Sequence, residues 1–172
     1  MDFFVDVIKA KKNIANKVDL ANSMNIAFGI DESFVIGMGV LMVSIIENNP
    51  SSAIAFHVFT DRLRSEDINR LAILGQKYKK VAVCIYYIND DKFKDFPTSF
   101  IWSKATYYRF IVCKELSGVT NRCLYLDSDI LCLGSLEKLF KMSFKYKTAL
   151  VVSDYDTMLD YARANIGFDG EQ

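Results

Sequence analysis

Short apolar runs and helical patterns alternate along this 172-residue chain, and this alternation limits its possible folds more than any other feature. Runs with strand character occur at residues 24–30, 53–59, 81–88, 123–126 and 148–152. Helical spacing or capping patterns occur at residues 37–47, 65–78, 103–113 and 136–140, with Ser65 as the expected N-cap. Strands that alternate with helices are typical of an α/β fold, in which helices flank a mainly parallel sheet. The sequence therefore predicts that architecture.

Acidic residues follow the C-terminal ends, or exits, of the predicted strands. They are Asp31, Asp127, Asp129 and Asp154. In open parallel sheets, ligands collect beyond the carboxyl ends of the strands. A strand period of two directs the carboxylates of Asp127 and Asp129 to one side of the chain. Two hard anionic oxygens of this kind can hold Mg²⁺ or Mn²⁺ and leave coordination positions open for a substrate diphosphate.

Charge and composition exclude several other classes of protein. Basic and acidic residues both number 21, so the formal net charge is zero, which argues against non-specific nucleic-acid binding. The longest nearly apolar run, residues 35–46, is too short to span a bilayer, and the first 24 residues are not expected to form a signal peptide. The four cysteines contain no C-x-x-C pair and are expected to be reduced thiols. These features predict a cytoplasmic globular protein.

Three ordered blocks carry a resemblance to a known family. They are NIAFGID at residues 25–31, WSKATYYRF at residues 102–110 and LYLDSDIL at residues 124–131. Together they resemble the retaining glycosyltransferases of family eight, and especially the lipopolysaccharide core glucosyl- and galactosyltransferases of Gram-negative bacteria. A lone D-x-D is a weak signal, whereas three blocks in this order and at these intervals are considerably more specific.

The resemblance implies a nucleotide-diphospho-sugar transferase (GT-A-like) fold and a donor site built from these blocks. Asp127 and Asp129 would hold the divalent metal, Mg²⁺ or Mn²⁺, and Ser128 would lie near the ribose. Four positions at and after the first block would cradle the uracil and ribose of a UDP-sugar: Gly29, Ile30, Asp31 and Ser33.

Arg109 and Asp154 are the candidate catalytic residues that the resemblance implies. Arg109 would lie against the diphosphate or the sugar, because its guanidinium group is always charged and presents a planar fork of N–H donors to anionic oxygens. Asp154 would contact the transferred sugar or the acceptor. The reaction would move glucose or galactose from UDP to lipopolysaccharide core or a related glycan, with retention of anomeric configuration. Such an enzyme is expected in the cytoplasm, with peripheral contact with the inner membrane left open.

The resemblance also has a limit. Family members continue with F-N-[AS]-G, D-Q-D and H-x-x-G-x-x-K-P-W segments, and none of these occurs in this chain. We therefore expect an N-terminal extension at residues 1–23, followed at residues 24–172 by a UDP-sugar and metal-binding domain that is truncated at its C-terminus. We expect little transferase activity from this polypeptide alone.

Other interpretations stay open at this point. The chain could be a non-catalytic remnant that binds UDP and metal. A phosphatase or phosphotransferase could use D-x-D as nucleophile and acid, but that chemistry favours Thr or Val where Leu131 stands. Asp31 could be a turn residue, Arg109 an exposed helix cation and Asp154 part of a polar loop. His57, the only histidine, lies inside an apolar run and is expected to be structural, while residues 37–39 (GMG) are expected to serve helix packing.

Overall fold

The computed structural model describes residues 3–15, 17–99 and 103–152. The chain divides into two units, Met1–Lys141 and Met142–Gln172. Among the described residues, every strand and helix belongs to the first unit. In chain order they are β1 (Ile8–Asn13), β2 (Met24–Gly29), α1 (Val35–Asn48), β3 (Ile54–Thr60), α2 (Ser65–Lys77), β4 (Val81–Ile88), α3 (Arg109–Leu116), β5 (Leu124–Tyr125) and α4 (Glu137–Phe140). Short 3-10 helices cover Leu20–Asn22, Glu32–Phe34, Asp90–Phe93 and Lys104–Tyr108.

The five strands form one sheet in the order β1-β4-β3-β2-β5. The four strands from β4 to β5 run parallel, and β1 pairs antiparallel with β4 at the edge. Six consecutive residue pairs join β2 to β3, whereas β5 adds two pairs on the other side of β2. The mainly parallel sheet confirms the predicted α/β fold.

Both faces of the sheet are buried under helices and loops. Strand alternation directs Ile26 and Phe28 of β2 to the face covered by α1, and Ala27 to the face covered by α3 and the 3-10 helix before it. A parallel strand that is covered on both faces reads as a continuous apolar run. This is why the sequence identifies β2, β3 and β4 with little error.

The edge strand β1 is not predicted by the sequence. Its residues read IKAKKN, and five of the six are exposed, so the apolar pattern of a buried strand is missing. Lysines on an edge strand discourage pairing with another chain. Part of the predicted N-terminal extension therefore lies within the sheet, while a domain boundary at residue 24 stays a prediction.

Val40 and Val43 of α1 are exposed, and a helix that is apolar nearly all round does not reveal from its sequence which stripe faces the core. One detail of the helix predictions is wrong. Ser65 was expected to be an N-cap, but α2 begins at Ser65 and the N-cap is Arg64. Asp67 in the first turn is fully buried and accepts hydrogen bonds from Arg64 and Arg70.

The strand predicted at residues 148–152 is not formed. Val151 and Val152 are 88% and 97% exposed, and none of the described residues pairs with this segment. An apolar run becomes a strand only where a neighbour completes its hydrogen-bond ladder. Asp154, predicted at its exit, lies outside the described residues. Within the described ranges, no helix has the length and hydropathy to cross a bilayer, and the four cysteines are free thiols.

His57 lies fully buried in β3 and is the hydrogen-bonded structural histidine that the sequence predicts. Its Nε2 is 3.0 Å from Asn25 Oδ1, and its Nδ1 is 3.1 Å from the Tyr86 hydroxyl. The Asn25 amide nitrogen donates to Leu20 O, Ser23 O and Thr120 Oγ1, which leaves its Oδ1 to accept. The imidazole therefore carries its proton on Nε2, and Nδ1 accepts from Tyr86.

Candidate functional site

The carboxyl ends of β2 and β5 lie side by side because the two strands pair in parallel. A cavity of about 300 Å³ opens there. It is lined by residues from all three sequence blocks: Gly29, Ile30, Asp31, Ser103, Ala105, Thr106, Arg109, Tyr125, Asp127, Ser128 and Asp129, together with Phe34. The fold thus brings together most of the residues that the sequence predicts at one site. Ser33 is not among the lining residues, and Asp154 is outside the described part of the chain.

Asp31 fixes the loop that follows β2. Its Oδ1 accepts the Ser33 N–H at 2.9 Å and thereby caps the 3-10 helix of residues 32–34. Its Oδ2 accepts the Ser103 hydroxyl at 2.7 Å, which joins the first sequence block to the second. Both carboxylate oxygens have partners within the protein, so Asp31 shapes the cavity wall, and Ser33 acts through its backbone.

Gly29 stands where three parts of the protein meet. A Cβ atom at this position would lie 2.9 Å from the Tyr125 hydroxyl oxygen, 3.1 Å from Ala105 O and 3.1 Å from Tyr108 Cβ. A side chain here would displace the Tyr125 hydroxyl and press on the Ala105 carbonyl and on Tyr108. Glycine therefore permits the close approach of β2, β5 and the 104–108 helix that forms the floor of the cavity.

Arg109 places a cation beside the first aspartate of the pair. Its Nη2 lies 3.2 Å from Asp127 Oδ1, and its Nε donates to Thr106 O at 2.9 Å. The guanidinium carbon lies 5.0 Å from the centre of the Tyr125 ring. The side chains of Arg109 and Asp127 are 43% and 58% exposed, so this ion pair faces the open cavity and remains available to a ligand.

Asp127 and Asp129 line the same cavity and supply the hard oxygen donors that Mg²⁺ and Mn²⁺ prefer. Ser128 between them is buried. Within the ranges that the structure describes, no group of three or more His, Cys, Asp or Glu side chains gathers as a metal cage. The two carboxylates fit a divalent cation that takes its other ligands from water and a diphosphate.

Helix α1 packs against the D-x-D loop, which carries Asp127, Ser128 and Asp129. A Cβ atom on Gly37 would lie 2.9 Å from Ser128 O, so the helix and the loop are in direct backbone contact. Asn48 donates to Cys132 O at 3.0 Å, and Cys132 N–H donates to Ser44 Oγ at 3.0 Å. Gly37 therefore serves helix packing, as the sequence predicts, whereas the same prediction is wrong for Gly39, where a Cβ atom would meet nothing within 4 Å.

The sequence of this chain matches a known protein family and is similar to several known proteins. The model of Glycosyl transferase family 8 matches residues 25–168, a range that contains all three sequence blocks. The chain belongs to glycosyltransferase family 8. It is 42% identical over 135 residues to a lipopolysaccharide 1,3-galactosyltransferase of Salmonella typhimurium, which covers 78% of this chain and 40% of that protein. It is 37% identical over 155 residues to a lipopolysaccharide 1,2-glucosyltransferase of Escherichia coli, which covers 90% of this chain and 45% of that protein.

Solved structures confirm the GT-A-like fold of this family 8 chain. It superposes on a crystal structure of an active-site mutant of LgtC with a TM-score of 0.60 and 24% identity, which covers 71% of this chain and 43% of LgtC. A galactosyltransferase LgtC structure with donor and acceptor sugar analogs gives a TM-score of 0.59. The family 8 chain thus spans less than half the length of these curated and structural relatives.

Tyr125 and Thr106 are site residues of the family 8 chain that the sequence did not single out. Tyr125 lies under the guanidinium of Arg109, and Thr106 accepts from its Nε. Burial raises the pKa of Tyr125, partly opposed by the nearby guanidinium, so the phenol stays protonated. The period of two in the third block was an available signal, since it directs Tyr125 and Asp127 to the same side of the chain.

Two glycines of α1 offer a matched pair of alanine substitutions. We expect Gly37→Ala to displace the D-x-D loop and to lower the free energy of unfolding by about 1–3 kcal/mol, the usual cost of overpacking. Gly39→Ala meets no atom within 4 Å and should instead raise it by about 0.5–1 kcal/mol, because alanine favours a helix interior. Urea denaturation of both variants checks this. Equal effects would show that Gly37 does not contact the loop closely.

Proposed function

We propose that this family 8 chain contains the donor site of a retaining glycosyltransferase that moves glucose or galactose from a UDP-sugar to lipopolysaccharide core or a related glycan. The observation that carries the proposal is the cavity at the carboxyl ends of β2 and β5, where Arg109 pairs with Asp127 and Asp129 lines the same cavity. The proposal is supported by relatives described as lipopolysaccharide galactosyl- and glucosyltransferases. Because the chain spans less than half of those relatives, the activity is proposed for the whole protein.

In this proposal Asp127 and Asp129 hold Mg²⁺ or Mn²⁺ at the mouth of the cavity. A divalent metal bound there would neutralise charge on the diphosphate and so stabilise UDP as a leaving group. Arg109 presents a planar, always-charged fork that matches phosphate oxygens in pairs. Its Nε contact with Thr106 and its position over Tyr125 orient that fork toward the cavity before a ligand arrives.

The nucleoside is proposed to lie against the first block. Gly29 permits the close packing of the cavity floor beneath it, and Ile30 and Asp31 line the wall against which the uracil and ribose would lie. Ser33 contributes by holding Asp31 in place, and Ser128 lies near the ribose. The assignment of Asp154 to the transferred sugar or the acceptor stays a prediction, since that residue is outside the described part of the chain.

We also propose a cytoplasmic location with peripheral contact at the inner membrane. The proposal is supported by relatives that are named for lipopolysaccharide, a membrane lipid, since an acceptor of that kind would lie at a bilayer surface.

Isothermal titration calorimetry of the purified chain with UDP, with and without Mn²⁺, tests the donor site. We expect Mn²⁺ to tighten UDP binding by at least about tenfold, because Asp127 and Asp129 would hold a cation whose charge offsets that of the diphosphate. UMP provides the matched ligand control, since it lacks the second phosphate and should gain much less from Mn²⁺. Absence of binding at millimolar UDP with Mn²⁺ present would refute the proposal.

A further inference from the structure

Arg109 places a positive charge in the cavity, next to one of the two aspartates. Arg109 Nη2 lies 3.2 Å from Asp127 Oδ1, the carboxylate that is proposed to bind the metal. The Thr106 carbonyl and the Tyr125 ring hold the same guanidinium from two other directions. Among the described residues that line this cavity, Arg109 is the one basic side chain. Lys104, which precedes Arg109 in the adjoining 3-10 helix, is paired with Asp90 at 2.8 Å.

We propose that Arg109 acts as a placeholder on Asp127: it pairs with this metal-binding carboxylate until a diphosphate binds, and it thereby couples metal binding to diphosphate binding. This inference rests on the proposed donor site. A metal ion that approaches Asp127 alone meets a carboxylate already paired with a guanidinium. Two cations on one carboxylate repel each other, so the metal binds less tightly than the two aspartates alone would allow.

A diphosphate removes this competition because it offers the guanidinium another anion. Arg–phosphate pairs are often bidentate and stronger than a single contact to a carboxylate. When Arg109 turns to the diphosphate, Asp127 becomes free for the metal, and the metal in turn adds charge that attracts the diphosphate. Thermodynamic linkage makes the effect reciprocal: each ligand raises the affinity for the other by the same factor.

The exposure of the ion pair limits the size of the effect. Both partners are about half exposed, and ion pairs in such surroundings contribute little free energy. Removing the guanidinium should therefore tighten Mn²⁺ binding in the absence of nucleotide by only about two- to fivefold. The same removal should weaken Mn²⁺-dependent UDP binding by about tenfold or more, because a charge-assisted contact to phosphate is lost. The two effects have opposite signs.

The test uses Arg109→Met, with binding of Mn²⁺ alone followed by electron paramagnetic resonance and binding of UDP with Mn²⁺ by calorimetry. We expect tighter Mn²⁺ binding and weaker UDP binding in this variant. Lys114→Met is the matched control, because Lys114 is exposed on the same helix, carries the same charge and does not line the cavity. It should leave both affinities within about twofold of the unmodified chain.

Arg109→Lys separates charge from geometry. It keeps the positive charge and should leave the affinity for Mn²⁺ alone near that of the unmodified chain, while the loss of the fork weakens UDP binding. Unchanged or weaker Mn²⁺ binding by Arg109→Met, or equal tightening by both Arg109 variants, would overturn the placeholder role. An unmodified chain that binds no UDP with Mn²⁺ would instead overturn the proposed donor site. Circular dichroism confirms that each variant is folded.

Discussion

Replacing Asp127 with asparagine should weaken Mn²⁺-dependent binding of UDP by about a hundredfold or more. The substitution keeps the size of the side chain but removes one of two anionic ligands, and changes even to groups that only support metal ligands cost tenfold or more. The asparagine would also place a neutral group against the guanidinium 3.2 Å away. Folding stability should change little, because the lost ion pair is exposed. Calorimetry with UDP and Mn²⁺ measures the loss.

Asp91→Asn is the control for this experiment. Asp91 is exposed, lies in the 3-10 helix Asp90–Phe93 and does not line the cavity, so the variant has the same change in charge outside the cavity. UDP binding by Asp91→Asn should match the unmodified chain. If Asp127→Asn kept its dependence on Mn²⁺, the D-x-D segment would be a structural turn and the metal would bind elsewhere.

The free energy of unfolding should fall by about 3 kcal/mol between pH 6.5 and pH 4 because of His57 alone. Burial lowers the pKa of His57 to about 4, whereas the unfolded chain exposes a histidine with an ordinary pKa near 6.5. Above pH 6.5 both states carry a neutral imidazole, and the full stability is present. As pH falls toward 4, the unfolded state binds a proton that the native state does not, so stability is lost. Below pH 4 both states are protonated and the loss reaches its limit.

Urea denaturation at several pH values between 7 and 4 measures this dependence. Carboxylates also titrate in the lower part of this range, so the difference between the unmodified chain and His57→Gln isolates the histidine. His57→Gln should be less stable at pH 7, because Asn25 and Tyr86 lose well-placed partners, but its stability should depend less on pH. His57 is the only histidine in the chain, which makes its proton resonance easy to follow. Parallel stability curves for the two proteins would contradict the predicted role of burial.

The buried part of the fold could be predicted from sequence, and the edges could not. Strands β2, β3 and β4 are covered on both faces, so their sequences are continuous apolar runs. Strand β1 lies at an edge with its lysines exposed, and its sequence resembles a loop. Residues 148–152 show the opposite error, because Val151 and Val152 have strand propensity but no partner strand among the described residues. Strand propensity is a property of single residues, whereas a strand also needs a neighbouring strand with which to form hydrogen bonds.

The sequence predicts which residues follow the strand ends and therefore lie at the site, but it does not predict which residues of the site are in contact. The aspartates after β2 and β5 were identified because parallel strands end at one edge of a sheet. The approach of Gly37 to Ser128 and the contact of Arg109 with Asp127 depend on how helices pack against loops. Such distances are set by the volumes of many side chains together, and no single segment of sequence encodes them.

The pairing of β2 with β5 has a consequence for the synthesis of the chain. The hydrogen bond from Asn25 to Thr120, beside this pairing, joins residues that are 95 positions apart. At 5–20 residues per second, a ribosome needs roughly 5–20 s to bridge that interval. During this time β2 presents an unpaired apolar edge, the kind of surface that promotes association between nascent chains. Only two residue pairs of β5 then close it, so the cavity is complete only after the D-x-D segment has emerged.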